Sequence, residues 1–168
     1  MQTLDWLNSI IEQGKLCDTY TEKVDVAKSK KQLADIGLDY NGASFLCEMA
    51  DQGMPLSYEV LKKEFRAFIN GRYYSENDTA NGKVYTVGLW CQYEEPEVTV
   101  NTTVATFLDC DLNVIIPNNH YAILFVDSNC NLRIFCGSGS ICKVNVWGDA
   151  NIENPENNNK IKITKRNG

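Results

Sequence analysis

Long hydrophobic runs and a basic leader segment are both missing from this 168-residue chain. No apolar stretch approaches the roughly 18 residues that a membrane-spanning helix requires. The first ten residues, MQTLDWLNSI, include an aspartate and no basic residue, so a secretory signal peptide is not expected. We therefore expect a protein that is cytoplasmic on synthesis and does not enter a membrane.

Closely spaced cysteine pairs are also missing, although the chain contains seven cysteines. None of them stands in a C-x-x-C pair, which is the spacing that a structural zinc site usually shows. Without a secretory signal, the simplest interpretation is that the thiols stay reduced and serve as small buried hydrophobic groups. The sequence predicts no metal site and no other cofactor.

Basic residues are scarce in the second half of the chain. Residues 73–158 contain only Lys83, Arg133 and Lys143 against eleven acidic residues. An acidic surface repels phosphate, so nucleic-acid binding through this region is not expected. The sign reverses at residues 160–166, where four basic residues are interpreted as a solvated terminus.

The N-terminal part of the chain, residues 1–72, carries helical patterns. Apolar residues recur at helical spacing, and capping residues or glycines mark the expected ends. Four helices are predicted: one ending at Gly14, one from about Asp18 to Ile36, one from the N-cap Asn41 to Gly53, and one from the N-cap Ser57 to Asn70-Gly71. Short connections between them predict a small bundle, and we interpret residues 1–72 as a helical domain.

The second half contains a weak internal repeat. Residues 73–83, YYSENDTANGK, are polar and rich in turn formers and are taken as the boundary, whereas residues 83–165 show the alternation of strands. CDLNV at 110–114 returns as CNLRI at 130–134 and more loosely as ANIEN at 150–154. The same offset aligns Thr102 with Ala122 and Cys142, Val104 with Leu124 and Val144, and Thr106 with Val126 and Val146. Val84 and Thr86 fit one period earlier.

A repeat of about 20 residues with two strands per unit is typical of a β-solenoid or β-roll. Its Asn and Asp residues would lie at the corners, where left-handed backbone is tolerated. An antiparallel β-sandwich is the alternative, because hairpins also recur at about this length. The sequence thus predicts an α+β protein in which a helical bundle precedes an all-β repeat domain at 83–165.

The chain has one histidine, His120, and it raises the question of catalysis. The stretch NHYAILFVD resembles the strand that begins with the catalytic histidine in papain-like cysteine peptidases, with Cys47 as nucleophile and Asn131 or Asp127 as the orienting group. Cys47, however, is predicted well inside a helix, where the helix dipole does not activate it. PNNH at 117–120 also occupies the same place in the repeat as GSGS at 137–140, so we interpret His120 as a turn residue and the protein as non-enzymatic.

Other candidate chemistry is less specific. The acids of EEPE at 94–97 and the pair Asp109 and Asp111 could serve as glycosidase carboxylates or calcium ligands, but acids in turns between strands are usually solvated. Four aromatic residues could form a sugar-binding face, although aromatic residues in strands more often belong to the core: Trp90, Tyr93, Tyr121 and Trp147.

A short helical N-terminal part followed by an Asn-rich β repeat resembles bacteriophage virion proteins of the head-fibre, tail-fibre-adaptor or decoration type. The resemblance covers the layout of the chain and implies that the helical part docks on a particle while the β part trimerises or binds. Open edges of stacked strands also favour a homotrimer. The expected partners are other copies of the chain and other virion or surface proteins. A soluble bacterial module that binds carbohydrate or protein is the second hypothesis, and the cysteine hydrolase is the third.

Overall fold

The computed structural model describes residues 3–71, 74–80 and 83–166, and the strand residues 74–80 and 83–85 are described by their backbone alone. In these ranges, five helices precede a β-solenoid of about four turns, so the predicted α+β class with a solenoid is confirmed. In the part of the chain that is described, no helix is long and apolar enough to cross a bilayer.

The helices differ from the prediction at the second one. Their bounds are α1 Thr3–Glu12, α2 Asp18–Val26, α3 Lys30–Leu38, α4 Tyr40–Asp51 and α5 Tyr58–Phe65, which continues as a 3₁₀ turn, Arg66–Phe68. The single helix predicted from Asp18 to Ile36 is wrong, because the chain is extended at Ala27 and restarts at the N-cap Ser29. The Ser29 side chain accepts the Gln32 N–H at 3.2 Å, and the Gln32 side chain accepts the Lys28 N–H at 2.6 Å. This reciprocal pair is close to a capping box and begins a new helix.

Two other predicted helix ends also shift. The end predicted at Ile36 lies within α3, which continues to Leu38, and the N-cap of α4 is Asp39, not Asn41. The Asp39 carboxylate accepts the Gly42 N–H at 2.6 Å and the Tyr20 hydroxyl at 2.8 Å, and these bonds join α2 to the start of α4. The predicted N-cap Ser57 is confirmed by its bond from the Val60 N–H at 3.3 Å.

The strands of the described ranges form two sheets. They are β1 Tyr74–Ala80, β2 Lys83–Cys91, β3 Glu97–Thr99, β4 Val104–Leu108, β5 Asp111–Ile116, β6 Tyr121–Val126, β7 Asn131–Cys136, β8 Ile141–Trp147, β9 Asn151–Glu153 and β10 Ile161–Arg166. The six-stranded sheet has the order β1-β2-β4-β6-β8-β10 and the four-stranded sheet the order β3-β5-β7-β9. The pair β1 and β2 is antiparallel, and the pairs that follow are parallel. Each coil therefore adds one strand to each sheet, which is the solenoid arrangement and not that of the antiparallel sandwich.

The segment chosen as the boundary is partly a strand. Residues 74–80 of that segment form β1, which pairs with β2, whereas residues 73, 81 and 82 lie outside the described residues.

The predicted repeat offset is confirmed in the later coils and wrong in the earlier ones. Ala122 pairs with Cys142 and Asp111 with Asn131, as the repeat predicts. Val104, however, pairs with Ile123 and not with Leu124, because the corner after Phe107 has one residue fewer than the equivalent corner after Val126. A slip of one residue exchanges the two faces of a strand, so Val104 points outward and its neighbour Ala105 points inward.

Earlier in the chain the departure is larger. The residue of β2 that pairs with Val104 is Val87, so the predicted alignment of Val84 with Val104 and of Thr86 with Thr106 is wrong. The first coil is shorter because the path from Thr99 to Val104 has fewer residues than the equivalent path from Ile115 to Ile123.

In the described part of the chain, side chains pack in three apolar clusters. The first lies between the two sheets and includes Leu112, Leu124 and Leu132. The second joins the outward face of the six-stranded sheet to α3, α4 and α5, and the third lies within the helical part around Trp6 and Met49. The helices therefore form a layer on one sheet, a geometry that the predicted bundle did not include.

The corners contain the left-handed residues that the repeat predicts. Asp109 and Asn119 have φ values of 54° and 55°, and Gly139, one repeat after Asn119, has φ 72°. The corners also contact one another, since the Ser138 N–H donates to the Asn118 side chain at 2.9 Å.

Candidate recognition face

Cys47 is placed where a nucleophile would be inactive. It is the eighth residue of α4, its side chain is completely buried, and it belongs to the cluster between helices and sheet. Burial raises the pKa of the Cys47 thiol well above its usual value, and the carboxylate of Asp127 adds to the effect. Because the thiolate is the reactive form, this environment suppresses nucleophilic chemistry.

His120 lies at a corner, as the turn interpretation predicts. Its Nε2 donates to the carbonyl oxygen of Thr102 at 2.8 Å, and its backbone N–H donates to the Ser140 hydroxyl at 3.1 Å. His120 lies just before β6. Asp127, whose carboxylate helps to raise the pKa of Cys47, lies just after β6. A strand of this length spans about 20 Å. The structure does not bring Cys47 and His120 together.

The proposed orienting groups are also dispersed. Asp127 lies at the opposite end of β6 from His120, and Asn131 begins β7 in the other sheet.

The four aromatic residues do not form one surface. Trp90 is buried between the sheets and stacks on Phe107 with a centroid distance of 5.2 Å. Trp147 is buried under the helices and stacks on Phe125 at 5.9 Å. Tyr93 packs against the inner core, and Tyr121 is exposed on the six-stranded sheet. The structure therefore does not assemble the alternative sugar-binding set, and the preferred interpretation as core residues is confirmed for Trp90 and Trp147.

The candidate carboxylates lie in different parts of the solenoid. Asp109 lies at a corner and accepts the Gln92 amide at 2.6 Å, whereas Asp111 lies in β5 and accepts the Asn131 amide at 3.1 Å. Across the described ranges, no three His, Cys, Asp or Glu side chains come together in a way that could hold a metal ion.

A different surface is ordered by the repeat. It is the outward side of the four-stranded sheet, which we call the ladder face. Its residues form three rows across the strands: Asp111, Asn131 and Asn151; Glu97, Asn113, Arg133 and Glu153; Thr99, Ile115 and Phe135. The helical layer covers the other sheet and leaves this face exposed or half-buried.

Side-chain hydrogen bonds run along the rows of the ladder face. Asn151 donates to Asn131 at 2.8 Å, and Asn131 donates to Asp111 at 3.1 Å. In the next row the Arg133 guanidinium donates to Asn113 at 2.8 Å. In-register parallel strands place equivalent residues about 4.8 Å apart, so amide side chains reach one another along the stack.

The ladder face presents charged side chains of both signs. Asp111, Glu97 and Glu153 contribute negative charge, and Arg133 contributes positive charge. Ile115 and Phe135 form a half-buried apolar row beside them. The side chains that hydrogen bonds hold along the rows lose little freedom on binding, so the face is suited to contact with another ordered surface.

Sequence reasoning found the repeat but missed this face. The signal was present, because Asp111, Asn131 and Asn151 share the repeat offset, as do Asn113, Arg133 and Glu153.

No protein-family model, curated protein or solved structure matches this chain.

Proposed function

We propose that the protein is a non-enzymatic structural or adhesion protein of a bacteriophage or phage-like particle. In this proposal the helical layer docks on the particle, and the β-solenoid self-associates as a homotrimer through the ladder face. The resemblance of the chain layout to virion proteins supports the particle, and the ladder face supports the self-association.

The observation that carries the proposal is the preorganised and uncovered state of the ladder face. Three copies around one axis would bring Arg133 of each protomer against acidic residues such as Glu97 and Glu153 of the next. In a closed ring of this kind, every protomer makes the same contact with its neighbours and no interface is left open. The row of Ile115 and Phe135 would add apolar contact at the same place.

The position of the helices supports two simultaneous contacts. The helices lie on the six-stranded sheet, so the ladder face points away from them. A docked helical layer would leave the ladder face accessible, as a protein that joins a particle to a second surface requires.

A soluble module that binds carbohydrate or protein is the second candidate. The amide and carboxylate groups of the ladder face, next to the apolar row with Phe135, offer the hydrogen bonds and the ring contact with which proteins hold sugars.

Light scattering coupled to size exclusion at micromolar concentration tests the self-association. We expect a mass three times the 18.9 kDa of one chain. Arg133→Glu should dissociate the assembly, because it places an acid in an already acidic face. Lys143→Glu is the matched control, since it makes the same charge reversal on an exposed residue of the other sheet. A wild-type monomer would contradict the trimer and favour the independent binding module.

The particle is tested separately. Genes for capsid, portal or tail proteins next to this one, and detection of the chain in purified particles, are the expected results. Absence from particles that are otherwise complete would refute this part.

A further inference from the structure

A pocket of about 250 Å³ lies where the helical layer meets the solenoid. Three parallel strands, β2, β4 and β6, end at its floor, and the residues that follow them line it, including Gln92, Asp109 and Asn129. The C-terminal half of α4 and the segment before α5 supply the opposite wall, with Leu46 and Leu56. Most of the polar lining residues therefore lie on the solenoid side, whereas the helical side is mainly apolar.

Asp127 is the buried ionisable group of this pocket. Its side chain lines the pocket although the residue is only 2% exposed. Oδ1 accepts the backbone N–H groups of Asp109 and Asn129, both at 3.1 Å, and the Cys130 thiol at 3.2 Å. Within the described parts of the chain, Oδ2 has no donor. One oxygen thus holds the carboxyl group in place, and the other is available to a ligand.

The charge in the pocket is not balanced. Asp127 and Asp109 both line it, and none of its described lining residues is basic. Burial raises the pKa of Asp127, and its backbone hydrogen bonds only partly oppose the shift. A buried carboxylate without a cationic partner is unfavourable, so a ligand with positive charge would gain from filling the position.

We propose that this pocket binds an alkylammonium group. The ammonium would pair with Asp127 Oδ2, and the alkyl chain would contact the apolar wall formed by Leu46 and Leu56. The group could belong to a free primary amine or to a lysine side chain of a partner protein, since the chemistry at the pocket is the same. Across the described residues, no three His, Cys, Asp or Glu side chains come together as metal ligands, so the pocket favours an ammonium donor over a metal ion, which needs several oxygen ligands. This proposal does not rest on the proposed function, because the pocket is separate from the ladder face.

Nuclear magnetic resonance of the ¹⁵N-labelled protein tests the proposal directly. The probes are n-butylammonium chloride, the neutral n-butanol, and lysine blocked at both backbone ends. We expect n-butylammonium to cause saturable shifts of the Asp109 and Asn129 amide signals, with affinity about tenfold or more above that of n-butanol. Blocked lysine binding as tightly as n-butylammonium would identify a partner's side chain as the source, and weaker binding would identify a free amine. Equal binding of n-butanol would overturn the proposal.

Two substitutions locate the interaction. Asp127→Asn keeps the Oδ1 acceptor and removes the charge, so the affinity for n-butylammonium should fall about tenfold or more. Asp111→Asn makes the same change on the ladder face and should leave the affinity unchanged. If Asp127→Asn fails to fold, Asp109→Asn serves instead, since asparagine tolerates its left-handed backbone, and we expect a loss of a few-fold. Unchanged affinity in the folded variant at Asp127, or in its substitute, would refute the site.

Discussion

The two sheets of the solenoid have the same repeat and nearly the same inward packing, yet their outward sides differ where the helices lie. On the six-stranded sheet the outward residues Val104, Phe125 and Trp147 are buried under helices. On the four-stranded sheet the outward residues Asn113, Arg133 and Glu153 remain half-buried or exposed. The coil geometry does not distinguish the two faces, so the outward side chains decide which one receives the helical layer.

The difference also separates stability from recognition. Apolar outward residues attach the helices and contribute to folding, whereas the polar rows of the ladder face contribute little to the core. Substitutions of the same residue type on the two faces should therefore have unequal effects, and a phenylalanine pair and an asparagine pair test this expectation.

The largest difference should come from the phenylalanines. Phe125→Ala removes a ring that is 1% exposed and packs edge-on against Tyr40 at 4.9 Å, so we expect a loss of about 3–5 kcal/mol in the free energy of unfolding. Phe135→Ala, on the half-buried row of the ladder face, should cost less than about 2 kcal/mol. Urea unfolding of both variants measures the difference, and equal losses would show that the helical layer adds nothing to the burial of Phe125.

Hydrogen exchange should separate the solenoid from the helices. Residues 100–147 are expected to exchange only through global unfolding, because their strands are central and paired on both sides. The segment 18–36 should open with a free energy lower by about 2 kcal/mol or more, since α2 contains no buried residue. Stronger protection of 18–36 than of the strands would reverse this order.

The asparagines give a smaller contrast. The Asn145 side chain is 6% exposed and accepts the Arg166 guanidinium at 2.8 Å, so Asn145→Ala should cost about 1–3 kcal/mol. Asn131→Ala removes ladder bonds that water can replace, and a loss below about 1 kcal/mol is expected. Thermal unfolding of the two variants is the measurement. A larger loss for Asn131 would mean that the ladder stabilises the fold.

The smallest effect is expected at His120. His120→Asn removes one bond to the Thr102 carbonyl at a corner and should cost about 1 kcal/mol or less. Iodoacetamide should modify the exposed Cys17 first and the buried Cys47 slowly, with the same Cys47 rate in both proteins. Fast alkylation of Cys47 that depends on His120 would restore the hydrolase hypothesis.

The solenoid could be predicted because its later coils have equal length, so the repeat offset is visible in the sequence. The register of the earlier coils could not be predicted. A single missing corner residue after β4 moves Val104 to the other face of the sheet, and the composition of the strand does not reveal this change. The break at Ser29 had a readable start signal in Gln32, which the many lysines around it obscured. An apolar stripe on a helix does not identify its partner, so the packing of helices on a sheet was missed.

The candidate sites show the same limit. The ladder face follows from the repeat once the free side of the sheet is known. The pocket around Asp127 does not, because its walls come from α4, the segment before α5 and three strand ends that are distant in sequence.

Because the later coils have equal length, the solenoid could be lengthened by duplicating one of them. Residues 121–140 comprise β6, β7 and the corners after them, and β8 follows in register with β6. A second copy of this segment inserted after residue 140 would add one strand to each sheet and move β8 and β10 farther from β2 by about 4.8 Å. Helix α4 contacts β4, β6 and β8, so it would span the insertion and oppose it. The solenoid can therefore change its length only by whole coils of one strand spacing, and its contacts with the helical layer oppose such a change.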